Sequence, residues 1–168
     1  RSAELGRPLR GAVIGGGLLG LEAAGALQSL DVDCTVVQSS DRLMSAQLDL
    51  AGGSMLRRLI EARGIDVRTQ SRTTRLDPDA SGSVTALEFQ DGSIHRADVV
   101  VFTVGVRPRD ELARAAQLAV DPRGGVVIDE GCQTSDDAIL AIGEVASFGG
   151  RSVGLVAPGY AMAEVAAT

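Results

Sequence analysis

Glycines at positions 15, 17 and 20, in the run Gly15-Gly16-Gly17-Leu18-Leu19-Gly20, sit between a short apolar segment and an alanine-rich one. In a GxGxxG arrangement the first glycine permits a tight turn and the second lets the backbone approach a diphosphate closely. The third lets helix and strand pack together, and the N-terminus of the helix supplies free N–H groups and a partial positive charge. The chemistry on offer is the binding of a dinucleotide through its pyrophosphate. Standing alone the motif is weak, but here it follows a predicted strand and opens a predicted helix, the context it requires.

A second set of residues bears on which dinucleotide. Such folds normally place an Asp or Glu at the end of the next strand for the adenosine ribose. Here that place holds Gln38, followed by Ser39, Ser40, Asp41 and Arg42. Gln38 can hydrogen-bond a ribose hydroxyl, and without a carboxylate the main repulsion against a 2′-phosphate is gone. Ser39, Ser40 and Arg42 can help to hold such a phosphate. NADH and NADPH both stay open, as does a plainer reading in which Gln38 caps the strand and Arg42 is solvated.

Other chemistries are excluded or unsupported. All 16 basic residues are arginine, so a Walker-type phosphate loop and Schiff-base catalysis are ruled out. The net charge of −6 argues against a nucleic-acid partner. Cys34 and Cys132 are far apart and form no Cys-x-x-Cys pair, no metal-ligand spacing occurs, and the default compartment is a reducing cytoplasm. Cys132 has no resolving partner, and the lone His95 reads as a strand or surface residue. No apolar run is long enough to span a bilayer, and no acid/base dyad marks a self-contained dehydrogenase.

The elements that must position these residues follow from the hydrophobic pattern. Strands are expected over 12–15, 32–37 and 65–69, with helices over 18–30 and 49–63 between them. This β-α-β-α-β order is the mononucleotide-binding half of a doubly wound α/β fold. Short strands over 73–76, 84–89 and 93–97, with a hairpin signal at Asp91-Gly92, predict an antiparallel meander laid on the parallel sheet. The run 98–104 reads as a strand covered on both faces. A short helix is expected over 110–118, strands over 126–128 and 139–142, and a helix over 161–167. The domain reading is a linker or cut end over 1–10, an NAD(P)H-binding domain over 11–122, and a segment over 123–168 too small for its own core.

Several motifs occur in a fixed order: GGGLLGLEAAGAL, LMSAQLDLAGGSMLRRLIEARGIDV, VVVFTVGVRP, PRGGVVID, CQTSDDAILAIGEVAS and GLVAPGYAMAEVA. From Gly11 onward the chain resembles the FAD- and NAD(P)H-dependent pyridine nucleotide oxidoreductases, and within them the FAD/NAD(P)H region of the assimilatory nitrite reductase large subunits. The segments QTSDDAILAIGE and LVAPGYAMA carry most of that narrower likeness. The resemblance implies that this glycine turn belongs to an inserted NAD(P)H-binding domain, the flavin's own lying at the family's extreme N-terminus. It implies a place for Glu22 near the nicotinamide, although the lysine the family often pairs with it is missing. It puts Val104 and Gly105, in the loop Thr103-Val104-Gly105-Val106-Arg107-Pro108, on the nicotinamide side. Gly143 and Glu144 resemble the motif that holds the ribityl chain of FAD, and Pro158-Gly159-Tyr160 the turn before a helix aimed at the flavin.

The function these features imply is the NAD(P)H-binding part of a flavin-dependent oxidoreductase, carrying hydride from NAD(P)H to FAD. The FAD site would be incomplete over 123–168. Expected partners are the remainder of the FAD domain and downstream electron-transfer domains, with no nucleic acid and no membrane; a homodimer stays open. Alternatives are a non-catalytic NAD(P)H-sensing module and a related ferredoxin or rubredoxin reductase.

Overall fold

The computed structural model describes residues 6–152 and 154–168. Residues 1–5 of the expected linker lie outside the described residues. The chain divides into two compact units, 1–104 and 105–168.

In the first unit β1 (Arg10–Ile14), α1 (Leu18–Ser29), β2 (Asp33–Val37), α2 (Leu50–Glu61) and β3 (Asp66–Arg68) follow the expected alternation. A meander of β4 (Thr73–Pro78), β5 (Val84–Phe89) and β6 (Ile94–Arg96) comes next, and then β7 (Val99–Phe102). The parallel sheet has the order β3-β2-β1-β7. Its register pairs Ile14 with Val37 and with Phe102, and Val37 with Arg68, so four strands end along one edge. In open α/β sheets ligands bind beyond that carboxyl edge.

Alternation of side chains explains the layering. Val13 and Val36 point to one face, where they pack with Ala24 of α1 and with Leu43. Ala12, Ile14 and Val37 point to the other, where Leu87, Phe89 and Ala97 cover them. The antiparallel meander, with its turn at Gly92 in the left-handed region (φ 78°), thus takes the place of helices on one side of the sheet. β7 departs from expectation. It lies at the end of the described sheet with Val99, Val100 and Val101 half-buried and Phe102 exposed, rather than covered on both faces. It has a neighbouring strand on one side alone, which its apolar composition does not reveal.

The second unit holds α3 (Glu111–Ala115), β8 (Val126–Ile128), a 3-10 turn (Gly143–Val145), β9 (Ala146–Phe148) and α4 (Val156–Ala166). β8 and β9 pair in parallel, over a small core of Ile128, Cys132 and Ala146 with Met162 and Ala166. Contacts divide near 104, earlier than the expected boundary at 122, for a physical reason. The buried Asp110 carboxylate accepts hydrogen bonds from Gly125 N–H (2.9 Å) and from Arg114 (2.8 and 3.0 Å), and Val120 bridges to Val126. These tie the segment after 105 to β8. Residues 139–142 form no strand, only an isolated bridge between Gln133 and Leu140. α4 starts five residues before the expected 161, because Pro158 sits in its first turn, where a missing N–H costs nothing.

Candidate functional site

The turn from β1 into α1 is fastened on two sides. Gly15 N–H donates to Val37 O (2.8 Å), Gly16 N–H to Gln38 Oε1 (3.0 Å), and Gly16 O accepts from Met44 N–H (2.8 Å). On the β7 side Thr103 N–H donates to Ile14 O (2.8 Å), and its hydroxyl lies 3.1 Å from both Ile14 O and Gly15 O. The glycines answer to these constraints separately. Gly15 has φ 116°, and a Cβ there would stand 2.5 Å from Thr103 O. A Cβ on Gly20 would stand 1.8 Å from Gly15 O, so helix and turn touch backbone to backbone. A Cβ on Gly16 would meet Leu43 at 2.6 Å. Gly17 differs, for a Cβ there would point into open space.

That open space is the cradle of the site. Gly17 is the N-cap of α1, its side caps nothing, and no acidic residue lies in the first turn. α2 is the contrast, since Asp49 accepts from Gly52 N–H at 2.8 Å and closes that helix start. An uncapped N-terminus presents N–H donors and the positive end of the helix dipole. Leu18 and Leu19 are exposed beside it. The glycine turn forms one wall of a groove of ≈ 690 Å³ along the carboxyl edge of the sheet. Gln38 and Ser39, the segment 71–76, and Phe102, Thr103 and Val104 complete it. The exposed side chains of Phe102 and Val104 give it an apolar end, and the mix of backbone donors and apolar surface fits a dinucleotide.

The other expected residues fall into place unevenly. Gln38 lines the groove, but its amide is engaged: besides Gly16, it donates through Nε2 to Ser40 Oγ (2.6 Å), which donates to Arg42 O (2.9 Å). Arg42 does not line the groove. Its guanidinium donates to Leu48 O, Ser45 O and Asp41, and so closes the 42–48 loop. Glu22 is exposed on α1, outside the groove lining. Gly105, with φ 98° and open space about it, begins the second unit. Gly143 and Glu144 line a separate groove of ≈ 460 Å³ with Leu155, Val156, Gly159 and Tyr160. Pro158, Gly159 and Tyr160 lie inside α4 rather than in a turn before it. This second groove offers one exposed carboxylate, Glu144, and an apolar flank.

Sequence reasoning missed the 71–76 wall, with Arg72, Thr73, Thr74 and Arg75, and the brace of Thr103. The signal was present as a dense polar run, RTQSRTTR, directly after β3. His95 is half-buried in β6, and burial followed by the charge of Arg68 lowers its pKa. Burial pushes the Cys34 thiol up to about 11, with Asp33 adding to the effect, so it holds no thiolate for redox work. Among the described residues no cluster of His, Cys, Asp or Glu is placed to hold a metal ion. No helix among them is long and apolar enough to cross a membrane.

Residues 2–167 match the pyridine nucleotide-disulphide oxidoreductase family, and the chain belongs to it. It is 51% identical over 160 residues to the nitrite reductase (NADH) large subunit of Escherichia coli (strain K12), covering 95% of this chain and 19% of that one. It is 49% identical over 154 residues to the nitrite reductase [NAD(P)H] large subunit of Klebsiella oxytoca, covering 92% and 16%. A crystal structure of an FAD-dependent pyridine nucleotide-disulphide oxidoreductase from Desulfovibrio vulgaris superimposes with a TM-score of 0.85 at 30% identity, over 94% of this chain and 41% of that one. The chain thus spans less than a fifth of the length of these nitrite reductase relatives.

Proposed function

We propose that the first unit binds NAD(P)H and, in the whole protein, positions it to reduce a flavin on the way to nitrite. One observation carries this reading: an uncapped helix start at Gly17, with a cradle that any side chain would fill, opens onto a groove at the carboxyl edge of the parallel sheet. The cofactors supply the hydride chemistry, and the protein supplies binding and orientation. Backbone N–H groups from Gly17 to Leu19 take the pyrophosphate. Gln38 and Ser39 stand at the adenosine end and Val104 at the nicotinamide end. For Glu22, which lies outside the groove lining, and for Gly105, the family resemblance is the support for a nicotinamide role. The second unit contributes Gly143 and Glu144 to a FAD site completed by the remainder of the FAD domain. Downstream electron-transfer domains of the same protein, in the cytoplasm, receive the electrons, and a homodimer is compatible with this arrangement.

The likeness to nitrite reductase large subunits supports the terminal acceptor. The test is to produce the chain with its upstream sequence, look for bound flavin absorbance, and add NADH. Bleaching of the flavin is the expected result. A protein that binds NADH and never carries flavin would instead be a nucleotide sensor, and the enzyme reading would fall.

A further inference from the structure

The groove has an unexpected charge pattern for a chain of net charge −6. Two arginines, Arg72 and Arg75, line it, and no Asp or Glu does. The position that usually carries the ribose-binding acid holds Gln38, whose amide is already occupied by Gly16 and Ser40. The segment after β3 is stitched alongside it: Gln38 N–H donates to Arg68 O (2.8 Å), Gln70 N–H to Ser40 O (2.8 Å) and Ser71 N–H to Gln38 O (3.0 Å). Arg72 therefore follows directly on a segment bonded to the end of β2, where the adenosine ribose of a dinucleotide would lie.

The neighbouring guanidinium groups are engaged. Arg42 closes its own loop. Arg68 donates to Ser71 and Asp91 and lies 4.0 Å over the ring of Phe89. Arg75 pairs with Asp77 (2.9 Å) and Glu88 (3.1 Å). Arg72 is exposed, and among the described residues its side chain has no partner. Ser39, in the neighbouring segment that also lines the groove, is exposed with a hydroxyl that makes no hydrogen bond among them.

We propose that Arg72, with Ser39, reads the 2′-phosphate of NADPH, so that this domain prefers NADPH to NADH. The inference rests on the dinucleotide reading above and adds the specificity residue. An arginine presents a planar fork matched to phosphate, and the missing acid removes the repulsion that would reject it. The arginine stands free before binding, so no existing ion pair has to break.

The test is equilibrium binding of NADPH and NADH to the chain, with 2′,5′-ADP and 5′-AMP as competitors, for the wild type, Arg72→Gln and Arg72→Lys. The wild type should favour NADPH and 2′,5′-ADP. Arg72→Gln should cut that preference roughly tenfold to a hundredfold, the worth of a charged hydrogen-bond pair. Arg72→Lys should keep part of it, since the charge stays and the fork is lost. NADH binding reports that the variants are folded. Equal or tighter wild-type binding of NADH, or a variant that loses both dinucleotides equally, would overturn the assignment of Arg72. If neither dinucleotide binds the wild type, the dinucleotide reading itself falls and this inference with it.

Discussion

Gly17 and Gly20 stand three residues apart in one motif, yet the structure gives their Cβ positions opposite surroundings, and alanine at each should fail in opposite ways. At Gly20 the methyl carbon would lie 1.8 Å from Gly15 O. An ordinary non-bonded approach is about 3.5 Å, so roughly 1.7 Å must be found by moving α1 off the turn. The obstacle is backbone, already braced by Thr103, so Gly20→Ala should cost about 3 kcal/mol of stability, the upper range of overpacking. At Gly17 the backbone is extended (φ −86°, ψ −171°), which alanine adopts freely, and the added methyl meets nothing within 4 Å. Gly17→Ala should change stability by no more than about 1 kcal/mol, the lost freedom of the unfolded chain being offset by alanine's poorer fit at a helix N-cap. It should nevertheless weaken NAD(P)H binding roughly tenfold to a hundredfold, because the methyl occupies the space where a pyrophosphate approaches and breaks at least one charged hydrogen bond. Urea unfolding by circular dichroism reads the first quantity. The fluorescence of NAD(P)H itself reads the second, with little interference from a chain that has one Tyr and no Trp. Gly17→Ala binding as tightly as the wild type would show that the cradle is not the pyrophosphate site. Gly17→Ala losing as much stability as Gly20→Ala would refute the account of the turn.

Gln38→Glu keeps an acceptor for Gly16 N–H, and Ser40 can turn its hydroxyl from Arg42 O to the carboxylate, so the fold should hold. The new charge should shift preference toward NADH, measured as the ratio of the two affinities; an unchanged ratio would remove Gln38 from the ribose end. Asp98 accepts from Arg7 (2.7 and 3.0 Å) and from Arg10 N–H, and hydrogen bonding to Arg7 chiefly lowers its pKa from 3.8 to about 2. A depressed carboxylate contributes stability that is complete above its unfolded value and is lost as pH falls through the folded one. Acid unfolding should therefore steepen between 3.8 and about 2, and Asp98→Asn should lower neutral-pH stability and flatten that limb in a pH series of denaturant midpoints. Cys34, 2% exposed and with its thiol raised to about 11, should react with a thiol reagent at pH 8 only as the chain unfolds. Rapid labelling of Cys34 in the native protein would contradict the packing of β2.

What was legible in the sequence was whatever local pattern dictates. The alternation of Val13 and Val36 with Ala12 and Val37, the glycines of the turn and the Asp91-Gly92 hairpin each specify their own geometry. Misreadings came where partners distant in sequence decide. The apolar run at β7 resembles a central strand, yet it ends the described sheet, and neighbours are not written in a strand's own residues. Arg42 was expected at the ligand because it follows Gln38, but three acceptors within its own loop hold it. Nothing local places the segment carrying Arg72 at the site, since the backbone bonds from 70 and 71 to 40 and 38 are what bring it to the groove.

The net charge of −6 argues against polyanion partners, but it gives a misleading impression of this site. Charges beyond a Debye length, about 8–10 Å at physiological salt, contribute little to an exposed site, so what matters is which ones line the groove. There, among the described residues, the chain places the unpaired Arg72, Arg75 already paired with Asp77 and Glu88, no lining carboxylate and the positive end of an uncapped helix. Many of its acids answer arginines elsewhere: Asp98 with Arg7, Glu61 with Arg57, Asp110 with Arg114. A protein with an acidic surface that must hold a pyrophosphate benefits from this arrangement. The groove keeps a local positive field for one anion.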